Sequence, residues 1–479
     1  MKILRDYQVS FINDIRNKLR TEKKIIACAA TGSGKSAVFI SIAKGCIEKS
    51  RTVLIISEST KIYRQIYKEI GNTINIGDGI KDFYIQPNNI FVAMAQTLVK
   101  RESLIKQFQD LGDNLFIIVD EGHIGTPTKL IKQLPKSYTV CFTATPNYKD
   151  AKHLPELYKS IVIGPQAQEL VEQNYLSPYF HYERQIADLS KLKKKGSEYT
   201  EDSQRQVFQK AEVFDGFIED LQKFNFHKCM VFCASIEHCT DTVNRLRALN
   251  YNVSECHSKN KQSDFELFQF TNGVNNICVS VGSLTKGFDE PAVDLIVLLR
   301  ATLSLSLYSQ MCGRGSRLFI GKSKFTVLDY GGNGTRHKPW NYLHSWDEMW
   351  NKLPKEKGVA PIKICKGCGF MMAVSVNPCP ECGEITIHIP SEKEIKETQL
   401  VEITANYNKL RGRNISTLSA IELFHYVSQT NKKEFAKRIA KAKGSLYLNE
   451  YAKLMKWKYG WQNHTIADTK LNYADIVIK

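Results

Sequence analysis

The chain has 479 residues, room for about three domains at ~150 residues each. Apolar residues make up 43%, an ordinary globular share, and no uninterrupted apolar run approaches the ~20 residues needed to cross a bilayer, which argues against a membrane-spanning protein. A formal net charge of +17 points to a polyanionic partner such as nucleic acid, only slightly ahead of a basic surface kept for solubility.

The opening stretch, MKILRDYQVSFINDIRNKLR, mixes charges with apolar residues at helical spacing and lacks the apolar core of a signal peptide. There are thirteen cysteines, nine of them single and mostly in apolar runs, which fits a reducing compartment. A cytoplasmic protein is expected.

From residue 25 to about 145, IIACA, TVLIIS, NIFVAMA, LFIIVD and TVCFTAT read as strands alternating with helical patterns. Such continuous apolar runs suit parallel strands buried on both faces. The pattern resumes from about 228 to 330 with CMVFCAS, NNICVSVG, VDLIVLL and FTVLDY. Two α/β domains follow from this. The polar stretch between them, DLSKLKKKGSEYTEDSQRQ, reads as a mobile loop or a helical insertion. After LDYGGNGTRHKPWN the α/β pattern stops.

Three segments carry chemistry. IIACAATGSGKS is a strand, a tight loop and a helix start with the phosphate-loop spacing, Ala29 standing where the first glycine is usual. The backbone of Thr31, Gly32, Ser33 and Gly34 would cradle phosphates, Lys35 would reach the β- and γ-phosphates, and Ser36 would ligate Mg²⁺. The bland alternative is a glycine-rich turn with a surface lysine. LFIIVDEGH ends a strand in two acids, Asp120 as a Mg²⁺ ligand and Glu121 as general base. His123 is a coupling candidate by position alone. YSQMCGRGSR puts Gln310, Arg314 and Arg317 in a glycine-punctuated loop and helix start, the arginines sharing one face if helical. They suit transition-state charge stabilisation or, more blandly, a helix surface.

Taken in order, LRDYQ, AATGSGKS, VDEGH, TAT, VSVGSLTKGFDEP and QMCGRGSR resemble the motifs of superfamily 2 helicases of the DEAD/DEAH type, over about residues 1–335. The resemblance implies ATP bound between two RecA-like domains. It implies that Arg5 and Gln8 contact adenine and that Gly287 and Asp289 lie near the ribose and the domain interface. Thr143 and Thr145 would couple hydrolysis to movement, and Thr97 and Thr285 would touch the nucleic-acid backbone. A narrower similarity, from GFDEPAVDL to LDYGGN with a cysteine cluster behind it, is to the RadD-like DNA repair helicases of bacteria and phages.

That cluster, Cys365, Cys368, Cys379 and Cys382, has the spacing of a closed four-thiolate zinc site, structural rather than catalytic, against the rivals of a redox pair or chance. Residues 404–464 then carry twelve Lys/Arg against three Asp/Glu. Lys433, Lys437 and Lys441 form a helical stripe that suits phosphate contact or, equally, a solvated face.

The expected architecture is α/β: two tandem RecA-like domains (1–165 and 166–340), a zinc ribbon (360–386) and a basic, mostly helical tail (387–479). The expected function is an ATP-dependent motor on nucleic acid using ATP, Mg²⁺ and structural Zn²⁺. Its partner would be DNA, single-stranded, forked or branched, in the cytoplasm of a bacterial or phage-infected cell, nucleoid-associated, with possible protein partners of repair or replication. The alternatives are an RNA helicase, the motor of a restriction or defence system, and a zinc-bearing binding module on an inactive motor.

Overall fold

A computed structural model describes residues 3–77, 79–80, 83–121, 126–146, 154–282, 288–351, 362–365, 368, 370–373, 378–383 and 400–402. In chain order the strands are β1 (Lys24–Cys28), β2 (Thr52–Ser57), β3 (Ile74–Ile76), β4 (Ile90–Met94), β5 (Leu115–Asp120), β6 (Tyr138–Thr143), β7 (Ser160–Ile163), β8 (Tyr179–Glu183), β9 (Lys194–Lys195), β10 (Glu198–Tyr199), β11 (Lys228–Cys233), β12 (Val253–Cys256), β13 (Ile277–Ser280), β14 (Val293–Leu299), β15 (Phe325–Asp329), β16 (Ile362–Ile364), β17 (Met371–Ala373) and β18 (Val401–Glu402).

Two parallel sheets dominate. The first runs β3-β4-β2-β5-β6-β1-β7, and the second β12-β13-β11-β14-β15-β8, with β18 added antiparallel beside β8. Each sheet is buried on both faces. In the first, Ile26, Leu54 and Ile117 pack into one apolar layer while their neighbours Ile25, Val53 and Ile118 pack into the other. In the second, Val231 and Val297 face one layer, and Phe232 and Ile296 the other. The continuous apolar runs of the sequence follow from this two-sided burial.

Strands β3, β7, β8 and β12 escape a search for apolar runs. β8, YFHYE, alternates buried with half-buried positions, and β12 is the short VSEC. The charged stretch 188–206 follows β8, inside the second sheet's connections, and is neither loop nor helix alone. It forms the β9–β10 hairpin and then the helix Glu201–Phe208, capped where Ser203 N–H donates to Thr200 Oγ1.

The chain also returns to the first sheet after β15. Gln166 and His344 exchange two hydrogen bonds, of 3.0 and 2.9 Å, and Trp350 packs against the first sheet's core. Beyond this strap, β16 and β17 form an antiparallel hairpin.

Candidate active site at the cleft between the sheets

The loop after β1 is tied down before it reaches any ligand. Ala29 N–H donates to Thr143 O and Ala30 N–H to Pro165 O, at 3.0 and 3.2 Å. Gly32 and Gly34 then take φ of 87° and 77°, in the left-handed region that glycine alone enters cheaply. The helix Lys35–Ile47 starts directly after, so its N-terminal N–H groups face the loop. Gln8 is buried, and its Nε2 donates to Ser33 O at 3.1 Å. A Cβ on Gly34 would stand 2.5 Å from that nitrogen. Lys35 Nζ donates to Ala29 O at 3.1 Å and lies 3.6 Å from the Glu121 carboxylate.

Asp120 closes β5 and is 7% exposed. Glu121 leaves the strand at φ +50°, a conformation that costs a non-glycine residue on the order of 1–3 kcal/mol. The sheet enforces it, because Glu121 N–H donates to Phe142 O at 2.8 Å. Thr143 Oγ1 donates to Glu121 Oε2, and Thr145 N–H to Thr143 Oγ1, both at 3.1 Å. The two threonines thus form a chain ending on the acid.

Across the cleft, Ser304 Oγ caps the helix Leu305–Cys312, which carries Gln310. This helix stops at Cys312, so the expectation that Arg314 and Arg317 begin a helix is not met. They lie in the turn beyond it. Glycines there let the backbone approach the phosphate loop: a Cβ on Gly313 would meet Thr31 Cγ2 at 2.5 Å, and one on Gly32 would meet Ser316 Oγ at 2.9 Å. Arg314 donates to Phe288 O, and Arg317 pairs with Asp289. Asp289, expected beside a ribose, is thus engaged with an arginine. Burial lowers both guanidinium groups to about 10, so both stay charged at neutral pH.

A cavity of about 670 Å³ joins these pieces. One wall is lined by Lys35, Ser36, Asp120 and Glu121, and the opposite wall by Gln310, Arg314 and Arg317. Arg5, also in the lining, lies 4.8 Å over the Tyr175 ring, which packs edge-on against Tyr7. Hydroxyl and carboxylate oxygens of Ser36 and Asp120 are the hard donors that Mg²⁺ takes alongside phosphates and water.

Two parts of this site were not read from the sequence. Tyr175 and Leu176 border the cavity, and the next residue, Ser177, donates from Oγ to Arg317 O at 2.9 Å. Lys322 Nζ donates to the carbonyls of Gly315, Arg317, Val293 and Pro291 at 2.5–3.2 Å. Neither has a motif spacing; only the fold brings them to the arginines.

Comparison with known proteins agrees with this geometry. A family model described as Type III restriction enzyme, res subunit, matches residues 1–148, and one described as Helicase conserved C-terminal domain matches 209–318. The chain belongs to the superfamily 2 helicases. The helicase is 25% identical over 389 residues to a 51.5 kDa protein of a Lactococcus phage, covering 79% of this chain and 82% of that one. It is also 25% identical over 362 residues to a Saccharomyces cerevisiae protein named for an ATP-dependent helicase, IRC3. That match takes in 69% of this chain but only 52% of the yeast protein. Among solved structures, a fragment of an HsdR subunit of a type I restriction enzyme from Vibrio vulnificus superposes with a TM-score of 0.57 at 21% identity, covering 71% of this chain and 66% of that one. The type ISP restriction-modification enzyme LlaBIII, bound to DNA, gives 0.53 at 16% identity, with 73% and 29% covered. At these identities the solved structures bear on the fold alone.

Other expected contacts of the helicase fare differently. Thr97, expected at a nucleic-acid backbone, is buried in the short helix Ala95–Leu98. His123, Thr285, Gly287, Lys433, Lys437 and Lys441 lie outside the described residues.

The helicase's four clustered cysteines converge. Cys365 and Cys382 Sγ are 3.3 Å apart, Cys368 and Cys379 Sγ 3.6 Å, and all four lie within 4.8 Å of one another. Tetrahedral coordination with ~2.3 Å metal–sulfur bonds implies sulfur separations of about 3.8 Å, so the set fits zinc. Burial pushes the Cys379 thiol up to about 12.

A second buried group, His181, Glu183 and Asp329, has metal-like spacing but a different role. Asp329 accepts from the N–H groups of Gly331, Asn333 and Gly334, and Glu183 from Thr335 N–H and Oγ1. These bonds shape the DYGGN turn, whose Asn333 Oδ1 accepts from Thr302 N–H at 2.9 Å, just ahead of the arginine-bearing segment.

Proposed function

We propose that this helicase is an ATP-dependent motor acting on DNA, with motor domains at 1–165 and 166–340. The observation carrying the reading is the shared cavity, which has phosphate loop, acids and arginines on opposing walls.

ATP binds with its base between Arg5, Gln8 and Tyr175 and its phosphates on the backbone of Thr31–Gly34. Lys35 leaves Ala29 O for the β- and γ-phosphates. Ser36 and Asp120 would hold Mg²⁺, which would supply positive charge to the phosphate oxygens. Glu121, oriented by Thr143, takes a proton from the attacking water. Arg314 and Arg317 exchange Phe288 O and Asp289 for the γ-phosphate, a role worth ~10³–10⁵ in rate. Loss of the γ-phosphate removes the ligand that draws the two walls together, and Thr143 and Thr145 couple that change to movement.

Cys365, Cys368, Cys379 and Cys382 would hold zinc, which would keep a small ribbon folded. The basic tail, with Lys433, Lys437 and Lys441, adds affinity for the strand, and Thr285 contacts its backbone. The cysteine cluster behind the second motor domain supports a RadD-like repair or replication role. The restriction description of the matched N-terminal model favours a second reading, the motor of a restriction or defence system.

Lys35→Ala and Glu121→Gln should abolish ATPase activity stimulated by nucleic acid. Retained turnover in either variant overturns the assigned site. Stimulation compared across single strands, duplexes, forks and RNA separates DNA from RNA action.

A further inference from the structure

The β9–β10 hairpin and the turn leading into it carry a dense group of positive charge, Lys191, Lys193, Lys194 and Lys195. Residues 193–197 are all exposed. Among the described residues none of Lys193, Lys194 and Lys195 has a carboxylate partner. The nearby acids are occupied elsewhere: Asp188 pairs with Lys191 at 3.2 Å, and Asp202 with Arg205 at 2.7 Å. Glu201 sits in the first turn of the following helix, where its charge favours the helix N-terminus.

Two-residue strands do not hold a hairpin by themselves. Glu198 anchors this one: it accepts from Leu303 N–H at 2.8 Å and bonds Thr302 Oγ1. Lys193 N–H donates to Ser203 Oγ at 3.0 Å, and Thr200 N–H to Lys193 O at 2.8 Å. Arg336 lies 5.6 Å over the Tyr199 ring. A patch that served only solubility would need no such fixing. A hairpin whose backbone is already fixed loses less entropy when its lysines bind.

The place also matters. The hairpin leaves from the carboxyl end of β8, and Thr302 and Leu303 follow the carboxyl end of β14. Behind it, Gln204 Oε1 accepts from Ala301 N–H at 3.1 Å. The hairpin therefore stands at the carboxyl edge of the second sheet, where ligands of open α/β sheets bind. Its anchor adjoins Ser304, the cap of the helix leading to Gln310 and Arg314.

We propose that this lysine hairpin is a nucleic-acid contact, gripping the phosphate backbone of a single strand at the carboxyl edge of the second sheet. The proposal rests on the nucleic-acid motor reading and names the surface that motor uses. Through Glu198 and Thr302–Ser304, the gripped strand is joined to the arginine-bearing segment.

The test uses the full chain and the triple variant Lys193→Ala, Lys194→Ala, Lys195→Ala. Binding to labelled oligothymidylate and oligouridylate is followed by fluorescence anisotropy across a salt series. Each phosphate contact on a single strand contributes ~0.7 to the slope of log affinity against log salt, so the triple variant should flatten that slope by about 2. ATPase without nucleic acid should be unchanged, and the oligonucleotide concentration giving half-maximal stimulation should rise. The triple Lys→Arg variant should restore the slope. An unaltered slope and affinity in the alanine variant overturn the proposal. A wild-type protein that neither binds nor responds to any nucleic acid overturns the motor reading instead.

Discussion

Thr31 and Gly313 meet across the cleft so closely that a Cβ on the glycine would stand 2.5 Å from Thr31 Cγ2 and 2.9 Å from Ser309 O. The phosphate loop and the arginine turn thus dock through a glycine, and their spacing has no slack for a methyl group.

Gly313→Ala should therefore push the arginines away from the phosphate loop. A misplacement of ~1 Å at a reacting centre costs on the order of 10²-fold, so kcat should fall by about that much while nucleotide affinity changes little. Stopped ATPase assays and a labelled-nucleotide titration separate the two. Equal loss in affinity and turnover would point to general unfolding instead.

The Thr143–Glu121 hydrogen bond orients the candidate base. A bond to a charged group is worth about 1.5–3 kcal/mol, so Thr143→Ala should lower kcat roughly 10- to 100-fold. Thr143→Ser keeps the hydroxyl and should recover most of the rate. If serine is as slow as alanine, the hydroxyl does not orient Glu121.

Lys322 makes the site sensitive to base. Burial lowers its ammonium from 10.5 to about 8. Below that pH it is charged and holds the carbonyls of Gly315 and Arg317; above it, one proton is lost and the arginine turn loosens. Turnover should fall as pH rises through about 8, and Lys322→Met should be slow at neutral pH and lack that limb. Stability moves the other way. Between about 8 and 10.5 the unfolded chain binds the extra proton, so this group's contribution to stability rises with pH. A pH–rate profile beside a melting series checks both signs.

Metal analysis should find one zinc per chain, and Cys365→Ser should remove it. The four thiols lie apart from the cavity lining, so ATPase without nucleic acid should persist. A metal-free wild type with intact thiols would refute the ribbon.

Much of this protein is legible in its order of residues. Continuous apolar runs such as TVLIIS mark strands because both sheet faces are covered, and local spacing alone singles out the glycine loop before Lys35, Asp120–Glu121 and the cysteine pairs, which the fold gathers into a cavity and a cluster. These are signals of short range, where neighbouring residues do the chemistry together. Strands such as β8, with alternating burial, give no such run.

Contacts distant in sequence were decided by the tertiary structure. Arg314 and Arg317 reach the cavity from a turn beyond the helix, with no shared helical face, because Gly313 allows close docking on Thr31. Tyr175, Ser177 and Lys322 join the site only once two sheets are placed against each other. The lysines of KLKKKG read as a charged loop until Glu198 is seen bonded to residues about a hundred positions away. Local sequence sets which groups are available; burial and long-range hydrogen bonds set which of them face one another.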